Sequence, residues 1–262
     1  MFIEERHEKI IEYLEKNERI MTTTVQDMFD VSFDTARRDL RILGEKGLIR
    51  RIRGGALAVK KVGFGKDKEC SAKDIPTIFE NYYQIAMEAI TMLSTKDVIY
   101  ITGGSIGYIM ACNMPTNIEF TAIVNSIIIA EELRKKSNIR VIMVGGTMDL
   151  RGNCYDSFAI DMVSRIKIDK CFFTSACLSV DFGLSIQSSD GICFFKQVLK
   201  NSKVVIGLYP TEKVGISTTI KICSINKLDT VILDWYITEE EERKIRKAGI
   251  DTVLVEKDKF RR

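Results

Sequence analysis

Six arginines carry most of the recognisable chemistry in this chain, and they come in two groups. Arg37, Arg38 and Arg41 lie in SFDTARRDLRIL, and Arg50, Arg51 and Arg53 lie in RRIRGGAL. A guanidinium group is permanently charged, and its planar fork matches phosphate oxygens or the O6/N7 edge of guanine. Helical spacing puts Asp34, Arg37, Arg38 and Arg41 on one side of a helix, and Phe33, Ala36, Leu40 and Leu43 on the other. Ser32 is a good N-cap for that helix, with Thr35 one turn on. The second group ends in Gly54-Gly55, a turn signal. A helix fits the major groove, and a basic hairpin can follow the neighbouring backbone. Charge runs are also often plain surface, so a solvated helix followed by an ordinary turn remains open at this point.

The elements that must position these arginines can be read upstream. Glu4 to Lys16 has the pattern of an amphipathic helix, with His7, Ile10, Ile11 and Leu14 near one face. Ile20 to Thr22 reads as a short strand. Thr24 is expected to cap a brief helix containing Val25, Met28 and Phe29, with a turn at Asp30-Val31. Helix, short helix, turn, helix, hairpin is the plan of a winged helix-turn-helix. Charge supports it: Ser32 to Lys61 holds nine Lys/Arg against three Asp/Glu, whereas Met1 to Val31 holds four against eight. The basic half is the half that would meet a polyanion.

These residues carry a resemblance. Val31-Ser32, Thr35, Arg37-Arg38-Asp39-Leu40, Leu43, Gly47, Arg50 or Arg51, and Gly54-Gly55-Ala56 resemble the DNA-binding domain of the DeoR family of bacterial transcriptional regulators. Ala36 and Arg53 depart from it, where a larger aliphatic residue and a histidine are common. The resemblance implies a double-stranded DNA operator as partner. The implied contacts are Ser32, Asp34, Thr35, Arg37, Arg38, Arg41, Arg50, Arg51, Arg53, Gly54 and Gly55.

The boundaries read from the sequence are a DNA-binding domain over 1–58, a linker over 59–73 and an α/β domain over 74–262. Val59 to Lys73 mixes Lys, Gly, Asp and Ser without periodicity, as a tether does. Beyond it, Ile78, Tyr82, Ile85, Ala89 and Leu93 mark a helix. Short β-rich runs (DVIYI, IEFTAIV, IRVIMV, Lys170 to Thr174, KVVIGLY, TVILD, TVLVE) then alternate with helices. The helices are expected near Ser105–Cys112, Asn125–Lys136, Phe158–Ile166, Gly191–Asn201 and Thr238–Ala248. That alternation predicts an open, mostly parallel sheet covered on both faces. Ligands of such sheets bind beyond the C-terminal strand ends. Gly103-Gly104-Ser105, between a strand and a helix, would let an anion approach backbone N–H groups. A tight turn alone would need the same glycines.

The resemblance extends into this half. DeoR-type regulators carry a sensor resembling ribose-5-phosphate isomerase and CoA-transferase folds, and many bind a phosphorylated sugar. The implied effector contacts are Gly103, Gly104, Ser105, Asn125, Gly145, Gly146 and Lys213, with Gly183 to Ser185 and Gly215 also in family ligand loops. Here Ile106 stands in place of a hydroxyl donor, Pro210 in place of an aspartate and Cys177 in place of a glycine. Asp156-Ser157 lies near a usual Gly-Pro pair. The ligand is therefore expected to be bound more weakly than, or to differ chemically from, that of a typical sensor.

Composition narrows the remaining choices. The net charge of +3 says little, because the basic signal is local. No signal-peptide pattern opens the chain and no apolar run spans a bilayer, so a cytoplasmic protein with no membrane partner is expected. Seven cysteines without a CxxC pair, and a single histidine, give no zinc pattern, and no cofactor is expected. A symmetric homo-oligomer is expected, since two-fold proteins read paired half-sites. The competing class is a sugar-phosphate isomerase or transferase with an appended nucleic-acid module. Asp181, Asp190, Lys196 and Lys213 are its candidate proton-transfer groups by residue type alone. The expectation is a regulator, not an enzyme. RNA is disfavoured, because no aromatic residues interleave with the arginines.

Overall fold

The computed structural model describes residues 3–58 and 80–260, so the expected linker and Ile78 lie outside the described residues. Two compact units result, one from the N-terminal elements with residues 236–238 and one from the remaining described residues from Glu80 onward. The first contains α1 (Ile3–Asn17), β1 (Arg19–Met21), α2 (Thr22–Phe29), α3 (Phe33–Glu45), β2 (Ile49–Ile52) and β3 (Gly55–Ala58). The strands form an antiparallel sheet in the order β1-β3-β2, with Ile20 opposite Ala56 and Arg51 opposite the same residue from the other side. Ile10, Leu14, Val25, Leu40 and Leu43 are buried between helices and sheet.

Two expectations in this unit need correction. Thr24 is not a cap: α2 starts at Thr22, directly from β1, and no side chain caps it. The wing turn does that work, as the Gly54 carbonyl accepts the Thr22 N–H at 2.8 Å and the Thr22 hydroxyl at 3.0 Å. Phe33 is not core but 45% exposed. Ser32 to Asp34 are all exposed, so the first turn of α3 extends past the core that buries Ala36, Leu40 and Leu43.

The second unit begins with α4 (Glu80–Thr91), β4 (Val98–Ile101), α5 (Ser105–Asn113), β5 (Phe120–Val124), α6 (Ile127–Leu133) and β6 (Ile139–Met143). α7 (Ser157–Ser164), β7 (Ile168–Phe173), β8 (Cys177–Ser179), β9 (Gly183–Ile186), α8 (Ile192–Asn201) and β10 (Ser202–Tyr209) follow. β11 (Ile220–Cys223), β12 (Thr230–Asp234), α9 (Glu239–Lys247) and β13 (Asp251–Val255) complete it. Seven strands form a wholly parallel sheet in the order β13-β12-β10-β7-β4-β5-β6. Ile99, Ile101, Phe172, Ile206 and Ile232 bury against its helices. α6 stops at Leu133, short of the expected Lys136, where Asn138 ties the following turn to the Pro115 and Ile118 carbonyls at 2.8 and 2.6 Å.

The sequence reading missed β8, β9 and β11, which form a separate antiparallel sheet in the order β11-β9-β8. Gly183 is needed there, since a Cβ would sit 2.2 Å from the Cys223 carbonyl oxygen. The order of the large sheet matters for function. From β4 the chain builds outward through β5 and β6. From β7 it builds the other way through β10, β12 and β13. The β4/β7 boundary is thus the switch point, where open α/β sheets leave a crevice beyond the strand ends. Among the described residues, no helix is long and apolar enough to cross a membrane.

Candidate nucleic-acid interface and ligand cleft

In the first unit, the Ser32 hydroxyl accepts the Thr35 N–H at 3.2 Å and caps α3. Asp34, Arg37, Arg38 and Arg41 are all exposed on that helix, opposite Ala36, Leu40 and Leu43. Arg41 pairs with Glu45 at 2.8 Å on the surface. The three wing arginines differ. Arg53 is exposed at the turn with Gly54, whose φ of 79° favours glycine. Arg50 is half-buried. Arg51 folds back on α3: its Nη1 donates to the Arg37 carbonyl at 3.3 Å, and its stem passes Gly44. Burial lowers its pKa, helped by the nearby Arg37 and Arg41 charges. Arg51 is therefore a strut between wing and helix as well as a charge. Gly55 is fixed by packing, because a Cβ there would meet the Ile20 carbonyl oxygen at 2.2 Å.

Sequence reasoning placed Asp39 in a motif but gave it no role. It is buried, receiving Arg6 Nε at 2.6 Å and Arg6 Nη2 at 3.2 Å, with His7 Nε2 at 3.1 Å. The Asp39 hydrogen bond raises the Arg6 pKa despite burial. This triad ties α1 to the inner face of α3, so the helix presents its arginines from a fixed base. The signal was in the sequence: a charged residue at the core spacing between Ala36 and Leu43 needs a buried partner.

In the second unit, a cleft of about 670 Å³ opens beyond β4, β7 and β10. Thr102 to Ile106 form one wall and Thr174 to Ala176 another, with Lys213, Asp190, Tyr155 and Arg151 around them. Gly104 precedes α5 with φ 123°, which leaves the first backbone N–H groups of the helix at the cleft wall. Gly107 permits that turn, since a Cβ would lie 2.2 Å from the Thr102 carbonyl oxygen. Lys213 Nζ reaches Thr174 Oγ1 at 3.5 Å. Burial pushes the Tyr155 phenol up to about 12, with the Asp149 charge adding to it.

Of the expected effector contacts, Gly103, Gly104, Ser105 and Lys213 line this cleft, and three others do not. Asn125 is fully buried beneath it, accepting from the Tyr100 hydroxyl at 2.8 Å and donating to the Cys154 carbonyl at 3.1 Å. Gly145 and Gly146 lie in an exposed loop that the protein fills with its own anion. Asp156 Oδ2 accepts the Thr147 N–H at 2.8 Å, and Oδ1 accepts the Ala159 N–H at 3.1 Å. A Cβ on Gly146 would strike that carboxylate at 2.3 Å. These backbone donors hold the Asp156 carboxyl below its usual range. Gly183 to Ser185 form β9 instead, with Ser185 buried and accepting the Thr218 N–H at 3.0 Å.

A buried carboxylate that sequence reasoning also missed supports the Lys213 turn. Asp234 accepts the Thr211 N–H at 2.8 Å, the Thr211 hydroxyl at 2.6 Å and Asn81 Nδ2 at 2.8 Å. Asn81, at the start of α4, also reaches Glu212 at 3.3 Å. Of the residues weighed for proton transfer, Asp190 and Lys213 line the cleft, whereas Asp181 and Lys196 are exposed outside it. Asp190 Oδ2 accepts the Ser188 hydroxyl at 2.6 Å.

Comparison with known proteins agrees with this arrangement. Residues 6–62 match the DeoR-like helix-turn-helix domain, and residues 80–235 match the DeoR C-terminal sensor domain. The HTH-type transcriptional regulator GolR of Listeria innocua is 26% identical over 98% of this chain and 100% of its own length. The HTH-type transcriptional repressor GlcR of Bacillus subtilis is 26% identical over 98% of each chain. The lactose phosphotransferase system repressor of Staphylococcus epidermidis is 28% identical over 91% of this chain and 95% of its own. Among solved structures, the full-length sorbitol operon regulator SorC of Klebsiella pneumoniae aligns over 91% of this chain and 97% of its own, at 10% identity and a TM-score of 0.41. Ribose 5-phosphate isomerase A of Neisseria gonorrhoeae aligns over 53% and 54%, at 14% identity and a TM-score of 0.39. A winged helix-turn-helix unit and an α/β unit with a cleft at its switch point, on one chain, define a DNA-binding regulator that carries its own sensor. The chain belongs to the DeoR family of transcriptional regulators.

Proposed function

We propose that this regulator represses genes of carbohydrate metabolism and is released from its operator by a phosphorylated sugar. The observation that carries the DNA half is the single-sided arginine face of α3, held from behind by the Asp39 triad. In this reading α3 enters the major groove, with Arg37 and Arg38 reaching base edges and Arg41 a phosphate. Arg53 at the wing tip meets the flanking backbone, with Arg50 beside it. Ser32, Asp34 and Thr35 lie at the end of α3 that approaches the groove first. Two copies act together on paired half-sites. Two relatives named above are repressors, one of them of a lactose phosphotransferase system, and this favours repression.

For the sensor, the anionic group of the ligand takes the backbone N–H groups at Gly104-Ser105, and Lys213 supplies the opposing charge. Asp190 and Tyr155 are left to meet sugar hydroxyls. An isomerase or transferase is the less favoured reading. The family is one of transcriptional regulators, and of the residues weighed for proton transfer only Asp190 and Lys213 reach the cleft. The ligand shifts operator affinity only by its differential affinity for the two states.

The test selects bound sequences from a random DNA pool, with and without a panel of sugar phosphates. The proposal expects one enriched two-fold symmetric motif, lost with at least one panel member. No enrichment from the pool would refute the DNA half, and enrichment unmoved by the whole panel would refute the sensor half.

A further inference from the structure

Five large apolar side chains are strongly exposed in the described part of the second unit, and four of them gather around one loop. Leu150 is 93% exposed, Phe158 74%, Met148 50% and Ile127 44%. Their grouping follows from bonds within the loop. The Ile127 N–H donates to the Gly152 carbonyl at 2.8 Å, which seats residues 147–153 on the start of α6. Gly152 lies so close that a Cβ would strike Ile127 at 2.6 Å. Met148 bridges to Cys154, folding the loop into a narrow hairpin with Leu150 at its tip. Asp156 then binds the Thr147 N–H and caps α7, which brings Phe158 beside the base of the same loop. At these exposures the four residues present roughly 500 Å² of largely apolar surface, at the upper end of what a monomer leaves open.

We propose that this face, formed by the 147–153 loop with the first turns of α6 and α7, is where a second copy of this chain docks. Two observations choose that occupant. The area is that of the apolar centre of a standard interface, about 800 Å² per partner with a polar rim. The rim carries both signs: Asp149 and Arg151 on the loop, and the exposed pair Asp161 and Arg165 on α7, 2.9 Å apart. A mixed rim complements itself across a two-fold axis, where each cation can meet a carboxylate of the other copy. A nucleic acid would call for a basic rim, as would an anionic lipid surface. The same loop also faces inward, since Asp149, Leu150 and Arg151 line the ligand cleft. A ligand that moves this loop therefore changes the partner's seat, which gives the sensor a route to the assembly.

The inference rests on the paired-copy reading above and assigns its surface. Light scattering on the full-length protein tests both and separates them. Leu150→Asp and Phe158→Asp are made singly and together. Leu150 packs little against its own chain, and an acid in the first turn of α7 suits the helix dipole, so both variants should keep the parent's melting temperature. The expected result is an assembled parent whose mass falls two-fold in the double variant, with each single variant dissociating at a higher concentration than the parent. The double variant should also bind a single half-site as the parent does while losing cooperative binding to the paired site. An assembled parent whose mass is unchanged in the double variant overturns this surface and leaves the paired reading standing. A monomeric parent at operator-saturating concentration overturns both.

Discussion

Arg6 on α1 holds Asp39 on α3 through two hydrogen bonds, 2.6 Å from Nε and 3.2 Å from Nη2, with both side chains buried. The pair joins the first helix of the unit to the one that carries the exposed arginines. Removing one partner of such a pair leaves an uncompensated buried charge, which costs about 3–5 kcal/mol. Arg6→Ala should therefore destabilise the first unit by up to that amount, since His7 still reaches Asp39 at 3.1 Å, and weaken operator binding, although Arg6 is not among the groove-facing residues. Hydrogen exchange at the α3 amides, followed in the full chain, would register the loss. Protection equal to the parent's would show that the triad is not what fixes the helix.

The arginines should separate into classes. Arg38→Ala removes a fork from the exposed face of α3 and should cost about 1–3 kcal/mol on the selected operator, and far less on unrelated DNA. Arg53→Ala at the wing tip should weaken all sequences alike and reduce the salt slope by about 1. Arg51→Ala should do something else. Its Nη1 serves the Arg37 carbonyl and its stem covers Gly44, so the variant should lose thermal stability as well as affinity. Gel-shift titrations at several salt concentrations, with melting curves beside them, distinguish the three. An Arg51→Ala variant of unchanged melting temperature would return Arg51 to the phosphate-contact class.

How far the sequence discloses this depends on whether a feature is local. The Ser32 cap, the arginine face and the alternation behind the parallel sheet are written in neighbouring residues and were legible. Features that depend on distant partners were not. Asp39 looks like one more surface charge until Arg6 and His7 arrive from thirty-odd residues away. Asp234 likewise needs Thr211 and Asn81, the second from across the domain. Gly145-Gly146 has the look of an anion loop, but the Asp156 carboxylate of the same chain lies against Gly146 and takes the neighbouring Thr147 N–H. β8, β9 and β11 are three or four residues each, too short for a period to show.

Tyr155 at the cleft ties the second unit to alkaline pH. Burial, then the Asp149 charge, raises its phenol from 10 to about 12. A raised phenol pKa means that the folded state favours the neutral form. Its contribution to stability is full below the unfolded value near 10 and is lost as pH rises towards 12. Stability should thus fall over that window, with Tyr108, also near 12 through its hydrogen bond to Cys112, adding to the slope. Tyr155→Phe should flatten the dependence by one proton in that window and leave the pH dependence of stability near neutrality unchanged. Urea unfolding at a series of pH values measures it, and an unchanged slope would place Tyr155 in a wetter site than its packing against Phe194 and Phe195 indicates.

The sensor reading makes its sharpest demand on the turn beneath Lys213. Lys213 closes a single helical turn that starts at Thr211, and Thr211 is bound to the buried Asp234 through both its N–H and its hydroxyl. A long lysine side chain loses much rotamer freedom on holding an anion, so a fixed base reduces what remains to be ordered. Thr211→Val keeps the shape of the residue and the Lys213 charge but removes the 2.6 Å bond from the hydroxyl to Asp234 Oδ1. It should weaken the binding of any sugar phosphate that the cleft accepts by about 1 kcal/mol, since a loosened turn must be ordered again when the ligand binds. Lys213→Ala should weaken it further. If Thr211 acts by placing Lys213, the double variant should bind no worse than Lys213→Ala alone, a coupling that a double-mutant cycle reads directly. Calorimetry on the parent and three variants supplies the four corners of the cycle. Additive losses would mean that Thr211 and Lys213 act on the ligand independently, and that the Asp234 network supports the fold without positioning the cation.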